Sequence, residues 1–85
     1  MWFVECPMDD QGLVQPIVAE SGAVVLMCDA GGEVWLRPDA INAHDPIVPA
    51  APEWTVNDGV HVRPGTTRWA SDTDLPNGWW SAHNP

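Results

Sequence analysis

The sequence predicts a small, mostly β domain: an antiparallel sheet, a C-terminal hairpin and one short helical turn. Three observations carry this. The chain has 85 residues, so it forms one domain with a small core, burying about 60% of the surface its unfolded form exposes. Two apolar runs, AVVLM (23–27) and EVWLR (33–37), flank a Gly-containing turn, which is a hairpin signature. A second pair of runs in EWTVNDGVHVRPG (53–65) brackets Asn57-Asp58-Gly59, a strong short-range turn signal.

The elements follow in order. WFVE (2–5) is β-rich and leads into a turn at Cys6. GLVQPIVAE (12–20) is a strand interrupted by Pro16. Proline has no ladder donor, so the expectation is an edge strand or a bulge. ESGA (20–23) is a turn with Gly22 as its permissive residue. AVVLM is continuously apolar and is expected to be the most buried strand. EVWLR alternates, with Val34 and Leu36 on one face and Trp35 on the other. The stretch RPDAINAHDPIVPAAP (37–52) carries four prolines, which favour an extended, semi-rigid connector with at most a helical turn near 39–43.

In the second hairpin Trp54 and Val56 are expected to face Val60 and Val62. The stretch 66–80 holds one short helical turn. Ser71 caps it, Asp74 three residues later completes a capping box, and Asn77-Gly78 ends it. One domain over 1–85 results. It has a sheet-forming half (1–40), a Pro-rich connector (41–52) and a Trp-rich hairpin and tail (53–85) packing on that half.

Charge narrows the function classes. Twelve acidic residues oppose three Arg and no Lys, for a net charge of −9. Nucleic-acid affinity comes mainly from cationic groups on phosphates, so a nucleic-acid partner is not expected. Anionic membranes are disfavoured for the same reason. The longest apolar run, 23–28, is far short of the ~20 residues a span needs. The start, MWFVEC, has no basic n-region and no long apolar h-region. The expected compartment is therefore cytoplasmic, where thiols stay reduced. A protein partner with a basic surface fits the charge. Exposed hairpin edges would also permit a dimer.

Two short motifs add a resemblance. Cys6-Pro7-Met8-Asp9 and Cys28-Asp29-Ala30-Gly31-Gly32 stand with residues 10–27 between them. They resemble the C-P-x-C and C-x-x-C-G turns of a zinc ribbon, over residues 1–40 only. The resemblance implies a small antiparallel sheet of zinc-ribbon type. Cys6 and Cys28 match ligand positions, whereas Asp9 and Gly31 stand where the second cysteines belong. Intact ribbons hold zinc with four such ligands, and the binding energy is folding energy.

Two readings follow. In the first, no cofactor is bound, and Cys6 and Cys28 are small buried hydrophobes lying near each other. Six Trp, with Trp54 and Trp69 as core residues, then replace the stabilisation of the ion, since each buried aromatic removes 150–250 Å² from water. In the second, zinc is held by Cys6 and Cys28 with Asp9 or with His44, His61 or His83.

Function in the first reading is binding without catalysis: a protein-binding module of immunity, antagonist or adaptor kind. Its expected contact residues are Trp79, Trp80 and Trp35, because Trp leads among interface hot spots, with the acidic Asp72 and Asp74. Neighbouring Trp79 and Trp80 cannot both point inward on an extended chain. An enzymatic alternative pairs the Cys28 thiol with His61 as base, but a reactive thiol calls for electropositive surroundings, which an acidic chain does not offer. The pair His44-Asp45 reads as a solvated turn. Gly31-Gly32 has neither the helix nor the Lys of a phosphate loop.

Overall fold

The computed structural model describes residues 2–8, 11–41, 45–76 and 78–79, with the side chain of Asp72 left aside. The fold is mostly β and antiparallel throughout. The main sheet contains β1 (Val4–Glu5), β2 (Leu13–Val18), β3 (Val24–Cys28), β4 (Val34–Trp35) and β7 (Arg68–Trp69). A separate hairpin pairs β5 (Thr55–Asn57) with β6 (Val60–His61). Two 3-10 turns, Pro38–Ala40 and Asp72–Asp74, complete the elements among the described residues.

Strand β2 is central, which corrects the expectation of an edge or bulge at Pro16. On one side β2 pairs with β3 along Val14–Val18. On the other side it has two partners end to end. Val14 and Leu13 pair with β1, and Ile17 and Val18 pair with β7. Pro16 falls between them. Its carbonyl accepts from the Ala70 N–H at 2.9 Å, so its nitrogen faces that same side. The missing donor therefore points into the junction between β1 and β7, and the ladder to β3 loses nothing.

Strand alternation builds a core on each face of the sheet. One face carries Val14, Leu26, Cys28 and Trp35, covered by Phe3, Cys6, Ala40, Ile41 and Leu75. The other carries Ile17, Val25 and Val34, covered by Val56 and Val62 of the hairpin, with Trp54 and Leu36 packed alongside. Each cluster thus draws on both the 1–40 and the 53–79 stretches. Fully burying a Val or Leu side chain contributes roughly 1.5–3 kcal/mol. Val34 and Leu36 share a face and Trp35 takes the other, as the alternation predicts.

Two tryptophans differ from expectation. Trp54 adopts φ 53°, which takes it off the extended ladder, so β5 starts at Thr55. It still packs, partly buried, against the hairpin core. Trp69 is 49% exposed. It lies in the short strand β7, which has β2 as its one ladder partner among the described residues, and it is not a core residue. The second hairpin turns at Asp58-Gly59, with Gly59 at φ 73° supplying the left-handed step. Ser71 and Asp74 close the second 3-10 turn much as a capping box would. The Ser71 N–H donates to the Asp74 carboxylate at 2.9 Å, while the Ser71 hydroxyl also turns to that carboxylate. The expected end of this turn at Asn77 lies outside the described residues.

Candidate metal centre

The two turns named by the sequence meet. Cys28 ends β3 and points to the same face as Leu26 and Trp35. Cys6 follows β1 and packs into the same cluster. Both are buried free thiols. Gly12 makes this approach possible. A Cβ at residue 12 would lie 2.6 Å from Cys28 Sγ, 3.0 Å from Ala30 Cβ and 3.3 Å from Cys6 Cβ.

A third donor joins them. Glu33 precedes β4, and the register Leu26–Trp35 and Met27–Val34 sets it directly opposite Cys28. The Cys28 N–H donates to the Glu33 carbonyl at 2.9 Å. Glu33 has the parity of Trp35, so its side chain leaves the strand on the sulfur side. One carboxylate oxygen of Glu33 and the two Sγ atoms all lie within 4.8 Å of one another. Glu33 occupies the space that Gly31 leaves open: a Cβ at residue 31 would stand 2.9 Å from both Cδ and Oε2 of Glu33. A carboxylate thus fills the volume beside the position where the ribbon pattern has its fourth cysteine.

The electrostatics are unusual. Glu33 Oε1 is buried without a hydrogen-bond partner; Trp35 Nε1 is the other such side-chain atom among the described residues. An orphaned buried acceptor costs free energy that a cation at this point would recover. Each sulfur accepts a backbone N–H from its own turn, Met8 for Cys6 and Gly31 for Cys28 at 3.4 Å. The Met8 bond favours the thiolate form of Cys6. Burial works the other way. Together with the hydrogen bond between the two thiols, it pushes Cys6 from its ordinary 9.0 up to about 11. In the absence of a cation Cys6 is therefore a neutral thiol at physiological pH. A divalent ion inverts this balance, because it binds the deprotonated ligand and releases the proton.

The other expected site residues fall elsewhere. Asp9, His44, His83 and Trp80 lie outside the described residues. Trp35 is 2% exposed and belongs to the core. That corrects its assignment as a contact residue, since the 3-10 turn and Leu75 cover its face. Trp79 is half-buried, edge-on to Phe3 with ring centroids 6.0 Å apart. Asp74 is held by Arg68 through two bonds of 2.8 and 3.0 Å and by Ser71, which keeps its carboxyl well below the ordinary range. Asp72 starts the second 3-10 turn. His61 Nδ1 contacts the Glu53 carbonyl at 2.9 Å and the Thr55 hydroxyl at 3.1 Å. Its hairpin packs on the opposite face of the sheet from Cys28, so the structure does not bring that thiol and that imidazole together.

Glu33 is the residue that the motif reading misses. Ligand spacing within a turn looks three residues past Cys28. The hairpin register, which places residue 33 across from residue 28, was the signal that identifies it. Comparison with protein-family models, with curated proteins and with solved structures finds no match to this chain.

Proposed function

We propose that this protein is a small non-catalytic module that holds one zinc-class divalent cation at Cys6, Cys28 and Glu33. The single observation that carries the proposal is the position of Glu33. Its unpartnered buried oxygen stands beside two thiols, in volume made available by Gly31. Two thiolates and a carboxylate suit a borderline-soft ion such as Zn²⁺ better than Mg²⁺ or Ca²⁺, which prefer oxygen donors. Zinc usually takes four ligands. The fourth position is open to solvent or to a donor outside the described residues. The ion would link β1, the end of β3 and the start of β4, so its role is structural. A neutral, buried Cys6 thiol supports that role over nucleophilic catalysis.

The test is metal content. Protein purified without chelator is weighed by native mass spectrometry, and the chelated protein is titrated with Co²⁺, whose thiolate charge-transfer band reports sulfur ligation. The expected result is one equivalent of metal, with the band lost in Cys28→Ser and the affinity lowered in Glu33→Gln. A metal-free protein that gives no cobalt band would return Cys6 and Cys28 to the reading of small core hydrophobes. An unchanged titration in Glu33→Gln would remove Glu33 from the site.

A further inference from the structure

The second face of the molecule carries an apolar groove of about 290 Å³ between the sheet and the β5–β6 hairpin. Ile17 and Met27 of the sheet, Trp54 and Val62 of the hairpin, and Val48 of the connector line it. That volume sits at the small end of ligand pockets, so it suits one or two side chains more than a cofactor.

Two features set this groove apart from an ordinary surface crease. The first is its rim. The described residues include three large exposed hydrophobics, Met8, Val48 and Trp69. Val48, at 72% exposed, lines the groove. Trp69 sits directly across the β2–β7 ladder from Ile17. Directly opposed residues project from the same face of a sheet with Cβ atoms about 4.5–5.5 Å apart. Trp69 therefore flanks the groove on the Ile17 side, and Thr67, two residues before it, lines the groove itself.

The second feature is charge. All three Arg are committed to carboxylates of this chain: Arg37 to Asp39, Arg63 to both Glu20 and Glu53, and Arg68 to Asp74. Arg63 follows the groove residue Val62, and Glu53 precedes the groove residue Trp54. Arg68 likewise stands between Thr67 and Trp69, so two cations neighbour the groove along the chain, and each is paired with carboxylates of this chain, three in all. The chain carries −9 overall with its three guanidinium groups already counted.

We propose that this groove is a docking site for an extended cationic segment of a protein partner, which seats one apolar side chain between Trp54 and Ile17. Trp69 and Val48 form the apolar rim, and Lys or Arg residues flanking the anchor meet the acidic surface. This makes a different surface from the Trp79–Asp74 region the interaction site, and it is independent of the metal reading. Rim aromatics that exclude water around a central anchor are the arrangement in which binding energy concentrates.

The experiment is a selection from a random dodecapeptide display library against the intact protein, run at low salt. The same selection is run in parallel against a Val48→Ser/Trp69→Ser double variant whose circular dichroism matches the parent. Neither substitution touches the Cys6–Cys28–Glu33 cluster, so metal content is unchanged. The expected outcome is a consensus with an apolar centre between Lys or Arg residues. Individual peptides of that kind should bind the parent at least tenfold more tightly than the variant, and binding should weaken as salt rises. Several results would each overturn the proposal: no enrichment over the variant, an acidic or neutral consensus, or equal binding when the apolar centre of a peptide is changed to Ser. Self-association of the parent through this face, abolished by the double variant in sedimentation, would give the groove to a second copy and overturn it as well.

Discussion

Glu33 faces Cys28 across the β3–β4 hairpin, joined to it by a backbone hydrogen bond of 2.9 Å. Its carboxylate lies within 4.8 Å of both sulfurs, Cys6 included. The relationship is fixed by strand register rather than by loop flexibility, because Leu26–Trp35 and Met27–Val34 lock the neighbouring pairs. The glycine at 31 is the other half of this arrangement. Any side chain there would compete with the carboxylate for one volume.

That competition gives a first prediction. In Gly31→Cys the new thiol enters the space now held by the end of the Glu33 side chain, which is flexible enough to swing away. The site then gains a third sulfur. Cobalt titration should show tighter binding and a stronger thiolate band than the parent, since thiolate is the softer donor. Weaker binding would mean that the Glu33 carboxylate cannot be displaced.

Alkaline titration should distinguish the free protein from its metal complex. In the folded free protein Cys6 is raised from 9.0 to about 11, chiefly by burial. Folding therefore favours the neutral thiol. This contribution is fully present below pH 9 and is lost as pH rises towards 11, because the unfolded chain ionises first. The urea midpoint of chelated protein should fall over that window, and Cys6→Ala should flatten the fall. With zinc bound the sign reverses near neutrality. The metal prefers thiolates, so acidification releases it and lowers the midpoint.

Gly12→Ala should damage stability and metal binding together. Its Cβ would lie 2.6 Å from Cys28 Sγ and 3.0 Å from Ala30 Cβ. Overpacking of this kind costs about 1–3 kcal/mol, read from chemical denaturation. The sulfurs are pushed apart at the same time, so cobalt affinity should fall as well.

The tryptophans should separate cleanly. Trp35→Ala removes the largest fully buried side chain among the described residues and should cost about 3–5 kcal/mol. Against a total of roughly 4–12 kcal/mol for a chain of this length, that leaves little or no folded protein. Trp69→Ala acts at a half-exposed edge position and should change stability by about 0.5 kcal/mol or less. Denaturation midpoints of the two variants check both values. An unfolded Trp69→Ala would show that β7 holds the sheet together more than its exposure implies.

Much of this fold was legible in the chain. The alternation Val34–Trp35–Leu36 assigned each side chain to its face, and both hairpins lie where their turn residues put them. The adjacency of Cys6 and Cys28 is what the resemblance of their two turns to those of a zinc ribbon implies. Three features were not legible, each for a physical reason. Glu33 is a neighbour of the sulfurs through cross-strand register, which spacing along one turn does not reveal. Trp69 resembles a core residue by type, but its exposure depends on β7 docking at the margin of the sheet. Pro16 argued for an edge or a bulge because it has no ladder donor, and the sequence does not show that two short strands meet end to end beside it.

That proline has a consequence for assembly. A foreign strand that displaced β1 and β7 would meet, midway along β2, a residue with no amide hydrogen to offer. A continuous intermolecular ladder cannot form across such a gap at full strength. Strand β2 thus carries a built-in interruption on its β1–β7 side that resists strand exchange and fibre growth when those two short strands fray.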